Sequence, residues 1–237
     1  MENFLILDSV TSTNDYAKTL ARQGAAHGTA VLAKSQSAGR GRMGRTFLSP
    51  EGGLYLSVIL RPWAEAAQLM ALTPVLAEAA CNAVEQVTGL RPKIKWCNDL
   101  LLENKKLAGI LTEPSLKPGG TADFVVCGIG LNCRTVPEEV EDMAAGLGEA
   151  VNIPALAEKI RDAWLLAAET LDDPCHMAGY RKDCVTLGKQ VRVMEAEPWE
   201  GIAADVDDSG ALIVERDGKR QRIFTGEVSV RGLYGYV

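Results

Sequence analysis

The chain lacks most of the patterns that mark common reactive sites. Its six cysteines (positions 81, 97, 127, 133, 175 and 184) form no C-x-x-C pair, and it has only two histidines, His27 and His176. The usual zinc-binding spacings are therefore excluded. No apolar run approaches the ~20 residues of a membrane helix. The opening segment, MENFLILDSVTSTND, has neither the basic region nor the small-residue cleavage site of a secretory leader. Basic residues are in deficit: 25 Lys and Arg against 31 Asp and Glu give a net charge of −6. That balance argues against a general nucleic-acid binder. There is no internal repeat, no low-complexity linker and no evident Ser-His or Cys-His signature. A cytoplasmic protein with reduced, partly buried thiols is expected.

What the chain does have is 237 residues, 47% of them hydrophobic, which is enough for one large domain or a medium and a small one. Against the acidic background, three arginines (Arg40, Arg42, Arg45) alternate with three glycines (Gly39, Gly41, Gly44) in a single stretch. Asn3 to Asp8, Gly28 to Ser35 and Leu54 to Leu60 read as strands. A helix capped by Ser12 or Thr13 should stop at Gly24. Ala64 to Gly89 is helical in composition, with a break or kink expected at Pro74 and Thr73 as a possible cap. Arg91 to Pro114 reads as two strands about a turn at Glu103–Lys105, and Asp123 to Asn132 as a buried strand. Pro154 to Leu171 should be an amphipathic helix with Asn152 near its cap. Beyond residue 186, short alternating segments separated by turns such as Asp208-Ser209-Gly210 predict a small all-β module.

Four stretches carry chemistry. Gly39 to Gly44 fits G-x-G-x-x-G, but the following TFLSPEGGLYLSVIL does not open a helix, as a dinucleotide fold requires. The G-K-[ST] of a phosphate loop is absent. An arginine-glycine RNA contact is possible in composition, although the segment is short and lies between strands. An ordered anion loop fits best, with glycines letting backbone approach an anion and arginines offering bidentate donors. In the second stretch, KIKWCND, Asn98 and Asp99 sit at a strand end. Asp99 could hold Mg²⁺, or both could simply bond their own backbone. In the third, strand alternation sends one of Lys105 and Lys106 inward and the other outward, and Gly109 allows close approach to the strand. The fourth is Gly128, Gly130 and Asn132, a strand end suited to a base or sugar packed on backbone.

Together these stretches resemble the biotin protein ligase family. The matching segments are Ser12-Thr13-Asn14, Gln36 with AGRGRMGR, KWCNDLLLENKKLAGIL and GIGLN; TGEVSVRG (225 to 232) resembles the end of the family's C-terminal domain. The resemblance implies an α+β fold, with a mixed sheet and packed helices of the class II aminoacyl-tRNA synthetase/biotin ligase type over residues 1–186. An SH3-like barrel follows over 187–237. It implies an enzyme that joins biotin and MgATP into biotinyl-5′-AMP, releasing pyrophosphate, and then acylates a lysine of a biotin carboxyl carrier protein. Biotin would be held by Ser12, Thr13, Asn14, Gln36, Gly39, Arg40, Gly41, Arg42, Lys106 and Gly128. ATP and the adenylate would meet Arg40, Arg42, Phe47, Asn98, Lys106 and Asn132, with Lys106 and Arg42 catalytic and Asp99 near the metal. Arg231 would approach the nucleotide.

Two positions depart from the family pattern: Cys97 stands where proline is common, and Phe47 where some members place a tryptophan. Only eleven residues precede Ser12, so a ligase without DNA binding is expected, as a monomer or homodimer with no membrane association. A lipoate ligase or octanoyltransferase is the related alternative, and a non-catalytic RNA-binding module the distant one.

Overall fold

The structure is a computed structural model that describes residues 4–61, 68–134, 136–224 and 227–230. Chain order begins β1 (Phe4–Val10), α1 (Thr13–Arg22), β2 (Ala30–Gln36), β3 (Leu54–Leu60) and α2 (Leu72–Thr88). Next come β4 (Lys93–Lys95), β5 (Asp99–Leu102), β6 (Lys105–Leu116) and β7 (Ala122–Leu131), then α3 (Ile153–Glu169) and α4 (Pro174–Asp183). The C-terminal strands are β8 (Gln190–Met194), β9 (Trp199–Val206), β10 (Leu212–Arg216), β11 (Lys219–Ile223) and β12 (Glu227–Val230).

The first seven strands form one mixed sheet in the order β1-β2-β3-β7-β6-β5-β4, with β1 and β2 parallel and the other pairs antiparallel. The alternation of β3 divides the molecule. Leu54, Leu56, Val58 and Leu60 enter the main core with α2 and α3, while Ile59 joins Ala17 and Ala21 of α1 on the other side. β7 does the same: Cys127, Ile129 and Leu131 face the main core, and Phe124 and Val126 face α1. On that second face β7 continues as Gly128 and Gly130. The missing side chains leave room beside the N-terminus of α1, and the functional cavity lies there.

Local sequence explains the ends of these elements. The Ser12 side chain accepts from the Asp15 N–H as the cap of α1, and Asp15 and Arg22 lie at the ends that suit the helix dipole. Asn152 caps α3 through the Ala155 N–H, and α2 ends at Gly89, which has φ 75°. Glu103 and Asn104, both at positive φ, make the two-residue turn between β5 and β6. α3 buries Leu156, Ile160 and Trp164, each side chain contributing about 1.5–3 kcal/mol. The second sheet is antiparallel, in the order β11-β10-β9-β8-β12, an SH3-like module. Its Val191, Val193, Val214 and Ile223 belong to the same apolar cluster as α2 and α3. Trp96 Nε1 donates to the Gly210 carbonyl at 3.0 Å, tying the module to the seven-stranded sheet.

Several sequence expectations need correction. Pro74 does not break a helix: α2 begins at Leu72, so the proline lies in the first turn, where no intrahelical N–H is required. Ala71 occupies the cap position, and Thr73 instead hydrogen-bonds Thr112 across to β6 at 2.6 Å. Residues 64–67 of that helical stretch lie outside the described residues. The segment from Arg91 to Pro114 holds three strands, because Trp96–Asn98 forms a turn of its own between β4 and β5. Helix α4 was not anticipated. All six cysteines are free, five of them buried. Among the described residues no helix is long and apolar enough to cross a membrane.

Candidate active site

The N-terminus of α1 supplies the polar end of the site. Ser12 is spent on capping, but Thr13 and Asn14 are not caps. The Thr13 N–H and hydroxyl donate to Gln36 Oε1 at 2.9 and 3.1 Å. The Asn14 amide donates to Glu113 Oε2 at 2.8 Å and to the Leu111 carbonyl at 3.3 Å. Ser57, fully buried in β3, donates to Asn14 Oδ1 (2.6 Å) and lies 2.8 Å from Thr13 Oγ1. Glycine at 128 is a steric necessity, since a Cβ there would fall 2.0 Å from Asn14 Oδ1.

The glycine-arginine loop closes over this end as a small hairpin. The Gly41 N–H donates to the Arg45 carbonyl (2.7 Å) and the Phe47 N–H to the Gly39 carbonyl (2.9 Å). Its tip is a 3₁₀ turn, Arg42–Gly44, with Met43 at φ 56° and Gly44 at φ 74°. Gly39 is the neck: a Cβ would sit 2.4 Å from the Phe47 carbonyl oxygen. Arg40 bonds Glu113 at 2.5 Å and Asp15 at 3.1 Å. Arg42 reaches the other wall, donating to Asn98 Oδ1 at 3.1 Å and to Cys97 Sγ at 2.6 Å. Burial pushes the Cys97 thiol up to about 11, so it stays protonated and is no nucleophile.

The far end is cationic. Lys106 points inward and pairs with Asp99 at 2.9 Å, while exposed Lys105 donates to the Glu141 carbonyl instead. Lys106 Nζ lies 5.9 Å from the centre of the Phe47 ring. That ring rests where Gly130 has no side chain, and a Cβ at 130 would be 2.6 Å from it. Lys95 is buried beside them. Desolvation lowers its pKa against the pull of Asp99, and the charges of Lys106 and Arg45 add to the lowering. Asn132, also buried, donates to the Lys106 carbonyl at 3.3 Å.

These groups surround one cavity of about 300 Å³. Every site residue singled out in the sequence lines it except Gly39, which shapes the loop neck. Val228 of the C-terminal module lines it too, whereas Arg231 lies outside the described residues. Asp99 is the one carboxylate in the described lining, and no group of three or more His, Cys, Asp or Glu side chains clusters among the described residues. That donor set does not make a resident metal site; it fits a Mg²⁺ held mainly by substrate phosphates. Sequence reasoning missed Ser57, Glu113 and Lys95. A lone hydroxyl in the apolar run LYLSVIL was the available signal for Ser57. Glu113 carried none, because its partners lie 73, 95 and 99 residues away in the chain.

Residues 6–132 match the biotin/lipoate A/B protein ligase family, and residues 186–231 match the biotin protein ligase C-terminal domain. A biotin–[acetyl-CoA-carboxylase] ligase from Paracoccus denitrificans is 34% identical, over 96% of this chain and all of that one. The bifunctional ligase/repressor BirA of Bacillus subtilis is 31% identical, over 97% of this chain and 74% of its own length. The biotin protein ligase of Aquifex aeolicus, solved with biotin and ATP, superposes with a TM-score of 0.81 at 28% identity, covering 98% of this chain and 99% of that one. On these matches the chain belongs to the biotin/lipoate A/B protein ligase family.

Proposed function

We infer that this protein is an ATP-dependent biotin protein ligase. It activates biotin as biotinyl-5′-AMP and transfers the acyl group to a lysine of a biotin carboxyl carrier protein. The observation that carries the reading is the polarity of one cavity. Hydrogen-bonding groups of Thr13, Asn14 and Gln36 crowd one end, and Arg42, Lys95 and Lys106 crowd the other. A neutral, hydrogen-bonding head group and a reacting carboxylate and phosphate match those two ends.

In the first step a biotin carboxylate oxygen attacks the α-phosphorus of ATP. A C–O–P bond forms, and the bond from that phosphorus to the bridging oxygen breaks, releasing pyrophosphate. Both reactants are anions, so the positive groups have to offset their repulsion and hold them in line. Lys106 would contact the carboxyl and phosphate oxygens, exchanging Asp99 for them. Arg42, anchored by Asn98, would contact the phosphate, and Arg40 would order over biotin. MgATP is the substrate form, with Asp99 the carboxylate nearest the ion. Phe47 and Asn132 would hold the adenine. In the second step the carrier's lysine amine attacks the acyl carbon, an amide forms, AMP leaves and the amine proton is lost to solvent. No protein nucleophile is required. The hairpin over the anhydride would exclude water.

We place the boundary between catalytic domain and SH3-like module at 186/187, and the reaction in the cytoplasm, where ATP and reduced thiols coexist. The test is transfer: with biotin, MgATP and an apo carrier domain, biotin should appear on one carrier lysine with release of AMP. Modification with lipoate but not with biotin would assign the chain to the other branch of the family.

A further inference from the structure

One carboxylate outside the expected site governs its polar end. Glu113 lies on β6, on the α1 side of the sheet, with its side chain 23% exposed. Its Oε1 accepts from Lys18 and Arg40, each at 2.5 Å. Its Oε2 accepts from the Asn14 amide at 2.8 Å. Burial pushes the Glu113 carboxyl up, but the hydrogen bonds from Lys18 and Asn14 and the charges of Lys18 and Arg40 outweigh it and hold it below its ordinary value. An ionised carboxylate only accepts. Asn14 must therefore turn its NH₂ to Glu113, the nearer of its two acceptors beside the Leu111 carbonyl at 3.3 Å, and its oxygen to Ser57, whose hydroxyl donates to it at 2.6 Å. The neighbouring amide is fixed in turn. Gln36 Oε1 takes both the N–H and the hydroxyl of Thr13, so its NH₂ faces Ser49 at 2.9 Å.

We propose that Glu113 is a positioning residue that sets the donor and acceptor pattern of the biotin head-group pocket by fixing the orientation of the Asn14 amide. The inference rests on the biotin ligase reading above. A cyclic urea presents two N–H donors and one carbonyl acceptor, so it binds only where the pocket's amides point the complementary way. Reversing Asn14 turns an acceptor into a donor and leaves buried groups mismatched.

Glu113→Gln isolates this effect. Lys18 and Arg40 share Oε1, so the introduced amide keeps its oxygen there and turns its NH₂ to Asn14. Asn14 then either keeps its orientation and sets its NH₂ against the introduced one, or reverses and sets its oxygen against the Leu111 carbonyl. Either way a buried pair at the pocket is mismatched, while Lys18 and Arg40 keep an oxygen partner. The change is isosteric and partly exposed, so the fold is retained, and a melting curve checks this. Kinetics of ATP–pyrophosphate exchange should show the KM for biotin raised about ten-fold or more, the order that one mismatched buried hydrogen bond costs. The KM for ATP should change less than about two-fold, the scale of an unperturbed site. Adding Asn14→Asp to Glu113→Gln should recover part of the loss, because a carboxylate at 14 accepts from both Ser57 and the introduced NH₂ and leaves only the 3.3 Å bond to the Leu111 carbonyl unmade. An unchanged KM for biotin in Glu113→Gln overturns the proposal. So does a parallel rise in both KM values with a lowered melting temperature, or a double variant no better than the single one. A wild-type protein with no biotin-dependent exchange overturns the ligase reading itself, and this inference with it.

Discussion

Replacing Lys106 by alanine separates the reaction chemistry from the fold. In the resting structure the Lys106–Asp99 pair is partly exposed, at 33% and 18%, so its loss should cost about 0–1 kcal/mol of stability. For a domain of this size that lowers the melting temperature by no more than about 2–4 °C. In the reaction the same ammonium faces charge developing on the carboxyl and phosphate oxygens. Removing one preorganised donor of that kind costs about 10²–10³ in rate, or about 2.7–4 kcal/mol. Asp99, left with only Lys95 as a cationic neighbour, is less well neutralised in a cavity that has to accept ATP, so the second effect acts in the same direction. Lys106→Ala should therefore slow adenylate formation at least ~100-fold. Lys105→Ala, which removes only an exposed bond to the Glu141 carbonyl, should stay within about two-fold. Single-turnover formation of biotinyl-adenylate from labelled ATP reads both variants, and equal rates would refute the assignment of the inward lysine.

Three further outcomes follow from packing and charge. Gly128→Ala drives a methyl into Asn14, which three other groups hold in place, and such overpacking costs about 1–3 kcal/mol; biotin titration calorimetry should show weaker binding by ten-fold or so. Trp164→Ala empties a fully buried site and removes the bond of its indole to the Leu76 carbonyl at 2.9 Å. It should cost about 3–5 kcal/mol, visible as a large fall in denaturation midpoint. Asp183 accepts from Arg91 and Lys93. Burial pushes its carboxyl up, but those partners outweigh it and hold it below 3.8. A depressed carboxylate stabilises the fold above its unfolded value and loses that contribution as pH falls through its folded value. The melting deficit of Asp183→Asn should thus be largest near neutrality and narrow below pH 3.8.

The sequence disclosed those parts of the fold that local rules determine. Ser12 and Asn152 cap the helices expected of them, and the nearly unbroken apolar runs of β3 and β7 mark strands buried on both faces. Helix α4 escaped because its apolar residues are sparse, although Asp173 followed by Pro174 is a legible start signal. Pro74 misled because proline is compatible with a first turn, and only the packing of α2 decides where that turn begins. At the site, composition and spacing pointed to the glycine-arginine loop and to an inward lysine. The residues that orient them were not legible. Glu113 meets Asn14, Lys18 and Arg40 only because β6 pairs with β7 on the sheet face that carries α1, and Arg42 finds Asn98 only because the hairpin folds across to the turn after β4. The loop that reads in the sequence as an isolated basic motif is, in the fold, a hairpin held at Arg40 and Arg42 by opposite walls of one cavity.

The central claim is that this cavity joins biotin to a nucleotide through an acyl-adenylate. Exchange of labelled pyrophosphate into ATP measures that step directly. The account predicts exchange that depends on biotin and Mg²⁺ and is not supported by lipoate or octanoate. Exchange supported by lipoate but not biotin, or none with any of these acids, would contradict it.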